Sequence, residues 1–242
     1  MRMLSIFFLM WASPTLAADR MEMGFVLSWG PFEIARLHYS MTWDETSYEI
    51  KGQGNTTGLV GLVVDWGGST TTTGIRDAGG QLFPKIHQHE GNLGGSQRYA
   101  EVIFKDNMVL DWNVTPSHAE LEQTEIPLPL PSHLIDPLTL IGRLTLGLTP
   151  FEHCNLNQLL FDGRRLARIL FIPPEEGSGC ALRSEKLGGF RKKDDEKDPR
   201  GRFQSVQLNA VGDIFVPTEF GLKAPLGNIV AQRYYLNRSK SE

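Results

Sequence analysis

Cysteine is scarce in this chain: two residues, Cys154 and Cys180, among 242. That count excludes a disulfide-dense scaffold and leaves one staple in a fold large enough to bury its own core. Charge of one sign is also missing. Lysine and arginine number 24 against 28 acidic residues, a formal net charge of −4. The broad positive field that nucleic-acid binding needs is therefore absent. Beyond the first residues no apolar run approaches the roughly 20 residues of a membrane-spanning helix. No repeat of fixed period is present. Gly177-Ser178-Gly179 is not the Gly-x-Ser-x-Gly elbow of hydrolases.

What is present begins at the N-terminus. Met1-Arg2-Met3 carries one positive side chain, Leu4 to Trp11 is apolar apart from Ser5, and Thr15-Leu16-Ala17 supplies small residues before a cut. This is the order of a secretory signal, with cleavage expected after Ala17. Residues 18–242 are then expected to form one domain, exported to the periplasm, with no transmembrane span and acting as a monomer. In that oxidising compartment Cys154 and Cys180 are expected to form a disulfide.

The 25 glycines and 14 prolines, with many Thr, Val and aromatic residues, favour short strands and turns. Leu37, Tyr39, Met41 and Trp43 alternate with polar residues, as do Tyr48 and Ile50, which marks half-buried strands. Leu59 to Trp66 fits a short buried helix or a buried strand, and a helix is preferred. Asp77 to Gly95 reads as loop-rich. Arg98 to Phe104 and Met108 to Val114 read as a hairpin through Lys105-Asp106-Asn107. The Pro-rich stretch 126–131 is an extended crossing within the domain. Asp136-Pro137-Leu138-Thr139 is a helix start, because Asp caps free N–H groups and Pro is tolerated in the first turn. Later segments up to Leu236 are strand-like, with Asp162-Gly163 as a two-residue hairpin signal. The expected fold is mainly β (α+β). It is a single strongly curved antiparallel sheet or half-barrel of roughly ten to twelve strands. Two short apolar helices lie against its inner face.

The cysteines test the strand order. If the segments from Asn157 to Leu187 form a meander, the first and third strands lie about 9–10 Å apart. A disulfide needs Cα atoms closer than about 7 Å. Either the cysteines sit beyond the strand ends, or the meander is wrong.

Candidate chemistry is sparse. His87 and His89 in His87-Gln88-His89-Glu90 would be metal ligands on one face of a strand. Zinc, however, takes three or four protein ligands, and no third follows from spacing. With Pro84, Gly91 and Gly94 nearby, a solvated loop without metal is expected. Gly52-Gln53-Gly54-Asn55-Thr56-Thr57-Gly58 lacks the spacing of a dinucleotide fingerprint and the lysine of a P-loop, so it reads as a turn. Arg191 to Arg202 mixes charges as a solvated loop does. Arg164 and Arg165 beside the Asp162-Gly163 turn are a candidate anion contact. Leu138, Ile141 and Leu144 on the expected helix are candidate ligand-lining residues. No nucleophile, acid–base pair or cofactor motif emerges, so no catalysis is expected.

Several short motifs occur in a fixed order: Thr57-Gly58-Leu59-Val60, Asp136-Pro137-Leu138-Thr139, Cys154, Phe161-Asp162-Gly163-Arg164-Arg165, Cys180, Gly188-Gly189-Phe190-Arg191 and Val216-Pro217-Thr218. With the signal segment, this order resembles the exported bacterial family called domain of unknown function 3108, in its alphaproteobacterial form. Leu166-Ala167 stands where that form often has an aromatic pair. The resemblance implies a periplasmic protein with a curved antiparallel sheet, loosely similar to the half-barrels that carry lipoproteins. It brings no catalytic residue. Two functions follow as expectations. One is a non-catalytic envelope protein that binds an apolar ligand such as a lipid or lipoprotein acyl chain, with the helix from Asp136 to Gly147 as a lid. The alternative is an envelope-integrity protein that acts through protein partners and takes no small ligand.

Overall fold

The computed structural model describes residues 18–61, 64–147, 154–173, 179–191, 204–224 and 227–240. The expected signal segment 1–17 and the mixed-charge stretch 192–203 lie outside the described residues.

Seven strands come first: β1 Asp19–Trp29, β2 Phe32–Trp43, β3 Ser47–Thr56, β4 Trp66–Arg76, β5 Leu82–Leu93, β6 Ser96–Lys105 and β7 Met108–Thr115. A single turn, α1 Gly58–Gly61, interrupts them between β3 and β4, and the helix α2 Pro137–Thr145 follows them. Then come β8 Leu156–Phe161, β9 Leu166–Ile172, β10 Cys180–Gly188, β11 Gln204–Val211, β12 Ile214–Ala224 and β13 Gly227–Ser239. The strands form one sheet in the order β7-β6-β5-β4-β3-β2-β1-β13-β12-β11-β10-β9-β8. Every strand pairs with its neighbours in the chain except β7 and β8, and β1 also pairs with β13, from Arg20 opposite Ser239 to Trp29 opposite Ile229.

This corrects the fold expected from the sequence. Among the described residues there are thirteen strands rather than roughly ten to twelve, and one helix longer than a turn rather than two. The sheet is open, because β7 and β8 are not hydrogen-bonded to each other. The preferred helix after Thr57 is four residues long, and Trp66 already belongs to β4. The loop-rich reading of Asp77 to Gly95 is also corrected, since most of it is β5, a twelve-residue strand. Pro84 is accommodated there because it faces Gly74 where the β4–β5 register shifts, a position that needs no ladder N–H.

A twisted sheet this wide curls rather than staying flat. Here it curls until its two ends overlap. Val102 and Phe104 of β6 pack with Phe161 of β8 and Leu166 of β9 in one buried cluster. Trp112 of β7 meets Phe161 edge-on at 5.7 Å. The segment between β7 and α2 fills the seam. Ile135 pairs in parallel with Leu160 of β8, and Thr124 exchanges backbone hydrogen bonds with Gly189 and Phe190. Covering an edge in this way satisfies its backbone groups and blocks further pairing.

Arg164 latches the overlap. The β8–β9 connection is the four-residue loop Asp162-Gly163-Arg164-Arg165, because Phe161 pairs with Leu166; the two-residue turn expected there is corrected. Asp162 Oδ1 accepts from the N–H groups of Arg164 and Arg165 at 2.9 and 2.6 Å, a local closure typical of Asp in turns. The buried Arg164 guanidinium then donates to Pro116 O at 2.8 Å, Thr115 O at 2.9 Å and Tyr99 O at 3.1 Å. These carbonyls belong to the far end of the sheet. Arg164→Met should leave them without partners and lower stability by about 2 kcal/mol. Arg164→Lys, which cannot fork to several acceptors, should recover less than half of that in urea unfolding. Wild-type stability in Arg164→Met would overturn the latch.

Helix α2 fills part of the sheet interior. Leu138, Leu140, Leu144 and the small residues Thr139, Gly142 and Thr145 are buried. Gly142 permits the closest approach: a Cβ there would stand 2.7 Å from Ile50 Cδ1 and 2.8 Å from Leu82 Cδ1. Arg143 donates to Leu82 O through Nε and Nη2, at 3.0 and 2.6 Å. Leu138 belongs to a core with Met21, Met23, Met41 and Ile50, while Leu140 and Leu144 pack with Ile135, Phe171 and Val206.

Cys154 and Cys180 are bonded, with Cα atoms 5.4 Å apart. The meander of β8, β9 and β10 is present, and the cysteines satisfy it by standing past the end of β9. Leu156 is opposite Phe171 and Ala181 is opposite Ile172; Cys154 lies two residues before Leu156 and Cys180 one before Ala181, so both stand beyond Ile172.

Candidate functional site

Period two decides which side chains enter the curled sheet. On β4 the inward positions are Gly68, Thr70, Thr72 and Gly74. On β5 they are His87, His89 and Gly91, paired opposite Thr72, Thr70 and Gly68. Small and polar groups thus line a wall where the neighbouring strands β3 and β6 carry Tyr48, Ile50, Val102 and Phe104. Two features follow from this, a buried polar network and an apolar cavity.

The network centres on Asp136, which is 0 % exposed. Its Oδ1 caps α2, accepting from Leu138 N at 2.9 Å and Thr139 N at 3.0 Å. The same oxygen accepts from Thr72 Oγ1 at 2.7 Å and stands 3.2 Å from His87 Nδ1. Oδ2 accepts from Thr139 Oγ1 at 2.5 Å, and Thr139 Oγ1 lies 2.7 Å from Tyr48 Oη. With its hydroxyl proton given to Asp136, Thr72 has only lone pairs for His87, 2.8 Å away. His87 therefore carries a proton on Nδ1.

Burial pushes the His87 pKa down, but the Asp136 carboxylate outweighs it and the net shift is upward. Burial pushes Asp136 up, and the His87 charge with the surrounding donors brings it below its ordinary value. Each partner thus favours the charged form of the other in the interior, where a charge needs both a partner and hydrogen bonds. Burial first, then the Asp136 charge, raises Tyr48 well beyond the usual phenol range, so Tyr48 stays protonated and donates to Thr139. These donors occupy the carboxylate, and the network holds α2 inside the sheet.

The cavity lies beside it and has a volume of about 230 Å³. Met23 and Phe25 of β1, Leu37 and Tyr39 of β2, and Trp66 of β4 form its walls, with Phe220 opposite. Phe220 tilts against Phe25 at 5.6 Å. Leu138 and Ile141 of α2 also line it. Leu144, singled out with them from the sequence, sits instead in the cluster around Cys154 and Cys180. Gly52 keeps the space open: a Cβ there would meet only Leu138 Cδ2, at 3.5 Å. Leu37 and Trp66 lean over Gly54, whose absent Cβ would stand 2.5 and 2.8 Å from them. A larger and more open groove, about 600 Å³, shares Leu37, His38, Gln53, Gly54 and Gly68 with the cavity and extends between Arg36, Asn55, Glu90, Gln97 and Tyr234. Its lining is mixed and polar, whereas specific small-molecule sites are enclosed and mostly apolar, so the interior cavity is the candidate site.

No family model matches this chain, and no curated protein matches it. The chain is similar to a crystal structure of a β-barrel-like protein of domain of unknown function DUF1849 from Brucella abortus. That similarity has a TM-score of 0.44 and 10% identity, and covers 93% of this chain and 99% of the other. It is a likeness of overall β architecture, and no ligand, partner or activity is carried across from it. The comparisons do not place the chain in domain of unknown function 3108.

The structure separates the residues singled out from the sequence. Arg164 is buried on carbonyls, whereas the Arg165 guanidinium lies over the Phe190 ring at 5.9 Å. His87 and His89 are on a strand, facing inward, and no group of three or more His, Cys, Asp or Glu able to hold a metal exists among the described residues. Sequence reasoning missed Thr72, Tyr48 and Gly52. The spacing of His87, His89 and Gly91 was the available signal, since it is that of one strand face.

Proposed function

We propose that this protein is a non-catalytic binding module of the bacterial envelope, exported to the periplasm, that holds a small apolar ligand inside its curled sheet. The cavity between β1, β2, β4 and α2 is the observation that carries this reading. The signal-like N-terminus supports the compartment, as does the disulfide, since such bonds persist in oxidising environments. No described helix is long and apolar enough to cross a membrane. The sequence resemblance to domain of unknown function 3108 belongs to the same reading.

Size limits the ligand. A dry engineered cavity of about 150 Å³ holds benzene, and drug-sized ligands need roughly 300–1,000 Å³. At about 230 Å³ the site takes a single ring or the end of one alkyl chain, not a whole phospholipid or a multiply acylated anchor. Native mass spectrometry of protein purified from the envelope should show a bound small amphiphile, and a fluorescent short-chain acyl probe should be displaced by it. Gly52→Leu should fill the cavity, because its Cβ has room and its branch points at Leu138. Probe affinity should then fall about tenfold or more with unfolding unchanged. A wild-type protein that takes up no probe, or a Gly52→Leu variant that binds as wild type does, would overturn the proposal.

A further inference from the structure

The cavity lining is mostly apolar, but the polar side chains of His38, Gln53, Thr70 and His89 also line it. Thr70 Oγ1 and His89 Nδ1 are 2.9 Å apart. The Thr70 hydroxyl makes no other hydrogen bond among the described residues, so its proton is available to Nδ1. With Thr70 donating to Nδ1, the imidazole proton is on Nε2; at His87 the acceptor Asp136 takes the threonine proton instead. Burial lowers the His89 pKa, which keeps this ring neutral at pH 7. The ring lies over two paired glycines: an added Cβ would stand 3.4 Å from its Cε1 at Gly68 and 3.2 Å from its Nε2 at Gly91. Side chains at those positions would displace it. His89 Nε2 makes no hydrogen bond among the described residues, although partly buried N–H groups ordinarily find an acceptor.

We propose that the ligand is an amphiphile, with an apolar tail toward Leu138 and Ile141 and an acceptor oxygen (ketone, ester or alcohol) hydrogen-bonded to His89 Nε2–H. This inference rests on the cavity being a binding site and adds the chemistry of the ligand's polar end. In this arrangement Thr70 occupies the Nδ1 lone pair, so His89 presents a donor to the ligand. A neutral acceptor matches a neutral imidazole without the cost of burying a charge.

The test compares 2-octanone with nonane, which have equal numbers of non-hydrogen atoms, by displacement of the short-chain acyl probe from the purified protein. The ratio of their affinities is measured in wild type and in His89→Leu, so that the difference in their hydration cancels. The 2-octanone/nonane ratio should be about tenfold higher in wild type, the worth of one buried hydrogen bond. Equal ratios in the two proteins would overturn this inference while leaving the apolar site intact. Failure of both ligands to displace the probe from wild type would overturn both readings. Because His89→Leu can perturb folding, ¹⁵N spectra of the imidazoles in the wild-type protein give a second test. They should place the His89 proton on Nε2, and a proton on Nδ1 would overturn the inference.

Discussion

Asp136→Ala is expected to destabilise the protein by about 4 kcal/mol, a large fraction of the roughly 5–15 kcal/mol that holds a typical domain folded. The loss has two parts. One is the cap on α2, worth about 1 kcal/mol. The other is the buried partner left behind: His87 is 2 % exposed and loses the carboxylate that compensates its charge. Urea unfolding should show the midpoint falling with an unchanged slope. Asp136→Asn keeps an acceptor for the helix N–H groups but removes the charge, and should cost about half as much. The same pair sets a pH dependence. His87 has a folded pKa above its ordinary 6.5, so its contribution is complete below that value and is lost as pH rises through the folded one. Asp136 has a folded pKa below its ordinary 3.8, so its contribution is present above that value and is lost as pH falls through the folded one. The pair therefore contributes most between about pH 4 and pH 6.5 and less on either side. In Asp136→Asn the alkaline decline should vanish. An Asp136→Ala variant within about 1 kcal/mol of wild type would show that the network does not hold the helix.

Removing the disulfide, with Cys154 and Cys180 both replaced by Ser, should cost about 3–4 kcal/mol from the loop it closes in the unfolded chain, whose ends are 26 residues apart. The native contribution is local. Both cysteines are buried with Ile135, Leu140, Leu144, Phe171 and Val206, so the bond joins the β8–β10 end of the sheet to the residues packed on α2. Thermal unfolding of the double variant, and of wild type under reductant, should drop by similar amounts. Unchanged transitions in both would mean that the packing of this cluster suffices without the bond.

Where local chemistry decides, the sequence was readable. Asp136 followed by Pro137 starts the helix because a carboxylate accepts free N–H groups and proline loses none it needs. Asp106 and Asn107 turn the β6–β7 hairpin with φ values of 51° and 61°, which their short polar side chains tolerate. Strand β4 was unreadable for the opposite reason. Its inward residues Gly68, Thr70, Thr72 and Gly74 are not apolar, so the alternation that reveals a half-buried strand is missing. Threonine favours strands, but only the pairing with β3 and β5 shows that this run is one. In β5 a proline and a glycine imitate a loop, because Pro84 sits at a register shift and Gly91 lies beside Gly68. The candidate site inherits these gaps, since its wall is built from the two strands that carry the weakest pattern.

The sequence by itself determined the helix and its cap, a chain dominated by strands, and a single pair of cysteines. These follow from backbone chemistry within a few residues. Only the tertiary structure decided that β1 pairs with β13 and that Thr72, His87 and Asp136 meet, although Thr72 and Asp136 are 64 residues apart. It also decided that glycine and threonine, where a core would carry bulk, leave a space beside His89. Those outcomes depend on how far a thirteen-stranded sheet curls. That curl is the sum of many small twists, and no single residue encodes it.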